Sequence, residues 1–460
     1  MYRLFNPPRR PRMTALAVAI GIGLAAPGLA AAQTDTEKAL EARIAQLEAL
    51  VQTLIDQQQQ TEQKIGEQVK AQVAEAAATQ AAATPAADAI QAKRITPGAN
   101  PSTTFSYGGF IKLDAMLTET SDGEIPDGSV GRLLYLPGGI PVGGRSEGTD
   151  LDAHAQFSRF WLAADSTLDS GDKLRGYFEF DLFGGALGNE ISTNTFGVTV
   201  RHAYVSWNNW LAGQTWSNFQ DVAALPDAVD FIGPTEGTTF VRQSQVRYSN
   251  GPWSVALENP ETIVTPFGGG ARISSDDGAM PDLTVRYRHA GTWGHVTLAA
   301  LLRNLKLENP ATGLDDSTAG YGLSFSGKYN IDAANDIRYM VNWGEGINRY
   351  LGLAITNDAV LDAGGNLETI GATTGYVAWR HVFSPSVRGN LYYSAAFFDN
   401  DTEYTGTAIT KNVQSVAANV IWSPLPKLDL GLEARYGERE LESGADGDLK
   451  RLHFHAKYSF

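Results

Sequence analysis

The segment from Arg451 to Phe460 constrains the fold of this chain more than any other. Leu452, Phe454, Ala456, Tyr458 and Phe460 alternate with Arg451, His453, His455, Lys457 and Ser459. Successive side chains of a β-strand point to opposite faces, so one face is apolar and the other polar. A strand of a soluble sandwich can share that pattern. An alternating strand that closes on an aromatic residue is expected instead where lipid wets one side and water the other. The chain is therefore expected to fold as an all-β transmembrane barrel.

The 460 residues suffice for one large barrel and an appendage. Cysteine is absent, which excludes disulfides and thiolate metal sites. Beyond the first 32 residues no run of about 18 apolar residues could cross a bilayer as a helix. Barrel strands escape that criterion, because each needs only ~9–11 residues with every second one apolar. The N-terminus carries Arg3, Arg9, Arg10 and Arg12, an apolar run from Thr14 to Leu29, and the small residues Ala30, Ala31 and Ala32. Residues 1–32 read as a signal peptide cleaved near Ala32. Its loss would take the net charge from −15 to −19, since those arginines are its only charged residues.

From Thr36 the period changes. Leu40, Leu47, Leu54 and Thr61 recur at one heptad position, with Ile44, Val51, Gln58 and Ile65 at the other. Residues 33–75 are expected to form a short α-helical coiled coil that self-associates, with Gln58 and Thr61 interrupting its seam. A single helix lying on a surface is the alternative. Residues 76–103, Ala-rich and holding Pro85, Pro97 and Pro101, read as a flexible linker.

Residues 104–460 divide into about 16 alternating segments expected to be antiparallel strands. Tight turns are expected at Asn208-Asn209, Ser249–Pro252, His289–Thr292, Ser384–Ser386 and Ser423–Pro426. Long connections fall between, near 121–155, 184–197, 218–239, 259–280, 305–318, 345–372, 399–411 and 437–448. Alternation of short and long connections is what a barrel with both termini on one side of a membrane requires. Tyr248, Trp253, Tyr329, Trp343, Trp422 and Tyr458 suit interfacial girdles.

An arginine on the lipid face would cost ~2–4 kcal/mol at mid-membrane, so strand arginines should face the lumen. Arg159, Arg175, Arg201, Arg247, Arg286, Arg288, Arg338 and Arg388 are the candidate pore-lining residues, with Arg242 added to them. Lumenal bases, Lys112 and Lys457 included, outnumber lumenal acids such as Asp114, Glu179, Asp181 and Glu433 by about two to one. Such a lumen concentrates anions, and arginine adds bidentate recognition of carboxylates. Many of these arginines could equally pair with neighbouring acids and only hold the wall. Glu179 with Asp181, or His453 with His455, could be imagined as acid/base or metal groups, but neither pair has a nucleophile or third ligand beside it. No enzyme activity, cofactor, metal or nucleic-acid partner is expected.

The stretches YGGFIKLDAM, FSRFWLAAD, GYFEFDLFG, RHAYVSW, AGQTWSNF and RQSQVRYS, with the leader, heptad helix and barrel, resemble the DcaP family of trimeric outer-membrane porins. The resemblance covers nearly the whole chain after the leader. It implies a homotrimer in the outer membrane of a Gram-negative bacterium, the helix in the periplasm, and passage of small anionic solutes, dicarboxylates above all. It also implies contact with the lipid bilayer and lipopolysaccharide, and delivery to the barrel-assembly machinery through Phe460. By analogy with trimeric porins, Asn218–Thr239 after the fifth strand should fold inward as the constriction, with Asp221, Asp227 and Asp230 facing wall arginines, Arg242 among them. A phosphate-selective or general porin is the nearest alternative, and a structural periplasmic tether a more distant one.

Overall fold

The computed structural model describes residues 103–186 and 196–460; the expected signal peptide, coiled coil and all but the last residue of the linker lie outside them. The described chain forms one ring of consecutive antiparallel strands. These are β1 (Thr103–Thr120), β2 (two segments, Glu147–His154 and Arg159–Thr167), β3 (Lys173–Ala186), β4 (Phe196–Trp207), β5 (Trp210–Trp216), β6 (Arg242–Asn250), β7 (Trp253–Glu258) and β8 (Asp282–Gly291). The ring continues with β9 (Gly294–Asn309), β10 (Leu314–Asn330), β11 (Asn335–Glu345), β12 (Gly371–Ser384), β13 (Val387–Asp399), β14 (Thr410–Leu425), β15 (Leu428–Leu441) and β16 (Asp446–Ser459). Both segments of β2 pair with β1, so they count as one strand and the barrel has 16.

The ring closes between β1 and β16, from Phe110 opposite Ser459 to Thr120 opposite Leu449. Phe460 ends the seam: its N–H donates to Gly109 O at 3.1 Å, the Gly109 N–H donates back at 3.3 Å, and its ring packs on Phe160. Closure leaves no unpaired edge, and side chains sort by parity. On β9 to β11, Leu298, Leu302, Leu323, Phe325 and Val341 are exposed, while Thr297, Leu301, Ser326, Met340 and Asn342 are buried inside. Tyr248, Trp253, Tyr329, Trp343, Trp422 and Tyr458 all lie on the outer face near strand ends, as a girdle requires.

Short turns occur where expected, with two more at 168–172 and 331–334. Three loop expectations need correction. Segment 305–318 is a hairpin, not a long loop: β9 and β10 stay paired out to Asn309 opposite Leu314. Likewise β15 and β16 pair as far as Glu440 opposite Asp446. Both extensions carry acids and bases on the outer face, such as Lys306, Asp315, Glu438 and Lys450. Apolar alternation reports lipid on one side, so it disappears where a strand rises out of the bilayer. Third, the expected loops 259–280 and 345–372 contribute Thr262–Thr265, Ile273–Ser275, Ala359–Leu361 and Leu367–Thr369 to a second, four-stranded sheet. Val264, Ala359, Leu361 and Leu367 pack there on Leu305 and Leu307 of β9.

Leu298, exposed in the apolar band of β9, offers a test of parity. Leu298→Arg should lower unfolding free energy by about 2 kcal/mol, measured by urea unfolding in lipid vesicles. An equal stability would place Leu298 away from lipid.

Candidate functional site

Within the lumen, the connection 217–241 between β5 and β6 folds inward along the wall. Asp221 Oδ2 pairs with His295 Nε2 of β9 at 2.9 Å and accepts from the Ser326 hydroxyl of β10 at 3.1 Å. Leu225 O then accepts from Arg338 of β11. Asp227 pairs with Arg388 of β13, and its carbonyl accepts from Asn390 and Asn419 at 2.8 and 3.0 Å. At the far wall the Val229 N–H donates to Glu433 of β15 at 3.0 Å, and Lys112 Nζ of β1 donates to Val229 O at 2.9 Å. The loop then returns: Gly237 N–H donates to Ser394 of β13 at 2.9 Å, and Asn342 of β11 donates to Gly237 O at 2.9 Å. A side chain would not fit at Gly237, where a Cβ would lie 2.2 Å from the Gly375 backbone.

Two other connections thicken this filling. In 121–146, Tyr135 is fully buried, its N–H donating to Asp230 Oδ1 at 2.8 Å and its hydroxyl to Glu236 Oε1 at 2.7 Å. The Arg435 guanidinium of β15 lies 4.2 Å from the Tyr135 ring centre. In 346–370, Ile347, Tyr350 and Leu351 pack with Phe219, Leu301 and Ala396. Asp358 fixes that connection by pairing with Arg303 at 2.9 Å and accepting from the Arg349 N–H at 2.8 Å. Asp230 is completely enclosed. Burial opposes its ionisation, but Arg435, His453 and the N–H groups of Tyr135 and Ile232 outweigh burial and hold the carboxyl below its usual value.

Asp221, Asp227 and Asp230 therefore do fold inward, but only Asp227 meets a wall arginine, Arg388. Asp221 meets a histidine and Asp230 meets backbone N–H groups, because the loop lies flat on the wall opposite the one that carries Arg242. Arg242 has no carboxylate within ion-pair distance among the described residues; it stacks over Trp216 at 5.0 Å and Phe240 at 5.9 Å.

The nine candidate arginines divide into two groups. Arg201 is buried and pairs with Glu179 and Asp181, both at 2.8 Å. Arg338 pairs with Asp336 at 2.8 Å, Arg388 with Asp429 at 3.0 Å, and the half-exposed Arg175 with Asp165 at 3.5 Å. Arg159 approaches Glu179 only to 3.6 Å, and Arg242, Arg247, Arg286 and Arg288 have no carboxylate partner among the described residues. Arg247 donates to Gln245 at 2.9 Å and to Trp216 O, and Arg286 donates to Gln220 O at 3.2 Å. A guanidinium has five N–H groups, so most of theirs remain unspent. These five line one side of the lumen, on β2, β6 and β8. The imagined acid/base pairs are consumed structurally: Glu179 and Asp181 hold Arg201, His453 hydrogen-bonds Asp114 at 2.8 Å, and His455 contacts Val229 O at 3.4 Å.

Several features left little trace in the sequence. Glu179 pairs with His202 while Phe180 pairs with Val200, so Arg201 is an extra residue in β4, a bulge that buries both Arg201 and His202 in the lumen. A turn interrupts β2 and turns Phe157 inward, where it stacks on Phe231 of the loop at 4.3 Å. Phe231 in turn meets Phe240, which meets Trp216. Arg201 lies over Phe231 at 5.6 Å, so an aromatic strip lies along the Arg201 side of the loop. No group of three or more His, Asp or Glu residues placed to hold a metal occurs among the described residues.

The family described as DcaP outer membrane protein matches residues 28–460. Among solved structures, the outer membrane channel DcaP of Acinetobacter baumannii is similar at TM-score 0.64 and 25% identity, covering 78% of this chain and 98% of that one. A loop-deletion mutant of OmpT from Vibrio cholerae follows at TM-score 0.46 and 16% identity, covering 78% of this chain and 100% of that one. Salmonella typhi OmpF in complex with daunomycin has TM-score 0.48 and 10% identity, with 78% and 98% covered. No match is found among the curated proteins.

Asp230 offers a test of how the loop is held. Asp230→Ala strips the acceptor from three N–H groups and should cost about 3 kcal/mol, measured by urea unfolding at neutral pH. A carboxyl held below its unfolded value stabilises fully above the ordinary aspartate value of 3.8 and loses that contribution as pH falls through the folded value. The gap between wild type and variant should therefore close in strong acid. A gap that is absent at neutral pH contradicts this role.

Proposed function

The chain belongs to the DcaP outer membrane protein family, and from that membership we propose that it is an outer-membrane porin through which small anions, dicarboxylates above all, diffuse. One observation carries the reading: five lumenal arginines that are not fully buried and have no close carboxylate among the described residues lie together. On the loop-covered wall Lys112, Arg338, Arg380, Arg388 and Arg435 pair with acids at 3.3 Å or less, and Lys457 reaches Asp429 at 3.6 Å. Arg439 and Arg451 give N–H groups to backbone carbonyls and threonine hydroxyls, and the loop itself brings Asp227 and Asp230 to that wall. On the opposite wall Arg159, Arg242, Arg247, Arg286 and Arg288 exceed their carboxylates. A low-dielectric passage with surplus fixed cations enriches anions. More than one guanidinium along the path suits a solute with two carboxylates. In this reading Asp221, Asp227 and Asp230 narrow the pore by anchoring the loop to its wall.

The known outer membrane channel DcaP of Acinetobacter baumannii supports the channel role through its likeness in fold and sequence. The same membership supports a homotrimer, while the N-terminal sequence pattern supports a signal peptide over residues 1–32 and the heptads support a self-associating periplasmic helix over 33–75. Lipopolysaccharide would meet the outer apolar face at the loop end, and the barrel-assembly machinery would engage β16 through Phe460. A phosphate-selective pore shares the same free arginines and differs in which anion it holds.

In planar bilayers under a potassium chloride gradient, the protein should show an anion-selective reversal potential. Replacing Arg159, Arg242, Arg247, Arg286 and Arg288 together by Gln should bring selectivity close to neutral. The wild-type preference should weaken as salt rises, because screening acts over ~8 Å at physiological ionic strength. Cation selectivity at low salt overturns the reading.

Phe460→Ser should leave less heat-modifiable barrel in the outer membrane without changing the conductance of what does assemble. Normal amounts with altered conductance would contradict an assembly role.

A further inference from the structure

Toward the short-turn end of the arginine wall, where the loop leaves β5, lies a cavity of about 310 Å3. That volume is at the small end of ligand pockets. Arg247, Arg286 and Arg288 line it, with Gln220, Thr215 and Asp221. Gln220 is 1% exposed, yet neither its amide nitrogen nor its amide oxygen has a partner. Its backbone is fixed all the same: the N–H donates to Ser217 O at 3.1 Å, and the carbonyl accepts from Arg286 at 3.2 Å.

Ser217, Thr215 and Asp221 around the cavity are already engaged: Ser217 Oγ accepts from the Phe219 N–H at 3.0 Å. Thr215 Oγ1 is hydrogen-bonded to His202 Nδ1 at 2.9 Å. Asp221 turns one carboxylate oxygen to His295 and Ser326 and the other to the Ala223 N–H. The charged surplus thus consists of three guanidinium groups, which only donate, and beside them stands one buried primary amide, which donates and accepts. A halide or a plain carboxylate could take the arginines and the amide N–H groups, but would leave the buried Gln220 oxygen without a donor. A carboxylate that carries a neighbouring hydroxyl satisfies both.

We propose that this cavity is a binding station for short hydroxycarboxylates: Arg247, Arg286 and Arg288 hold the carboxylate, and Gln220 donates to it and accepts from the hydroxyl. The station rests on the anion-porin reading and makes the pore saturable and selective among anions of equal charge.

The test uses the full-length protein in planar bilayers, with malate and succinate as probes, and reads the concentration of each that half-saturates its effect on chloride current. Both carry two carboxylates and only malate has the hydroxyl. Malate should half-saturate at a concentration about fivefold lower, the factor given by one ordinary hydrogen bond. Gln220→Met should bring the two acids together. Arg288→Gln should weaken both equally and keep their ratio. Equal half-saturation in the wild-type channel overturns the station even if Gln220→Met fails to assemble, as does a preference that survives in Gln220→Met. An anion-selective reversal potential with equal half-saturation removes the station alone, whereas a cation-selective one removes the porin reading with it.

Discussion

The structure depends first on ring closure between β1 and β16. In hydrocarbon an unpaired backbone N–H or C=O has no water to turn to, so a strand can be stable there only with neighbours on both sides. The hydrogen bonds from Phe110 opposite Ser459 upward, and the exchange between Phe460 and Gly109, complete that condition. Once the ring is closed, parity decides the rest. Every second residue meets lipid, and charged groups such as Lys112, Asp114, Arg451 and His453 are driven into the lumen.

A lumen filled with ionisable groups then poses its own electrostatic problem, and the connection 217–241 resolves half of it. By lying on the wall of β11 to β16 it supplies Asp227 to Arg388 and Asp230 to the surroundings of Arg435 and His453. Arg338 gives a hydrogen bond to its Leu225 carbonyl, and Lys112 gives one to its Val229 carbonyl. The aromatic strip of Trp216, Phe240, Phe231 and Phe157 flanks the arginines of β2 and β6, while the start of the loop reaches Arg286 of β8 through the Gln220 carbonyl. Neutralising one wall and leaving the other in surplus turns a generally basic lumen into a one-sided track.

How much of this was legible in the sequence follows from what each signal measures. Alternation in Arg451–Phe460 and in Tyr107–Leu117 reports lipid against water directly, so the barrel, its strand number and the inward face of Lys112 and Asp114 could all be read. The same signal failed at Lys306–Asp315, where the strands rise out of the bilayer and their outer face carries charges instead of apolar side chains. The inward course of 218–239 was legible only through likeness to other porins. Its aspartates looked like partners of Arg242, yet pairing across a barrel depends on where a loop lies, which no local pattern encodes. The bulge at Arg201 and the burial of Tyr135 likewise arise from register and from contacts some 100 residues apart. Even Gln220 was part of the expected loop, but an unspent amide is visible only once its neighbours have been placed.

The central claim is that accessible positive charge without carboxylate partners is concentrated on one wall. It can be tested by anomalous diffraction from crystals soaked in bromide, which locates anions without reference to any transported solute. Bromide should occupy sites beside Arg242, Arg247, Arg286 and Arg288 and avoid Arg388 and Arg435. Bromide sites shared evenly between the two walls, or gathered on the loop-covered one, would contradict the account.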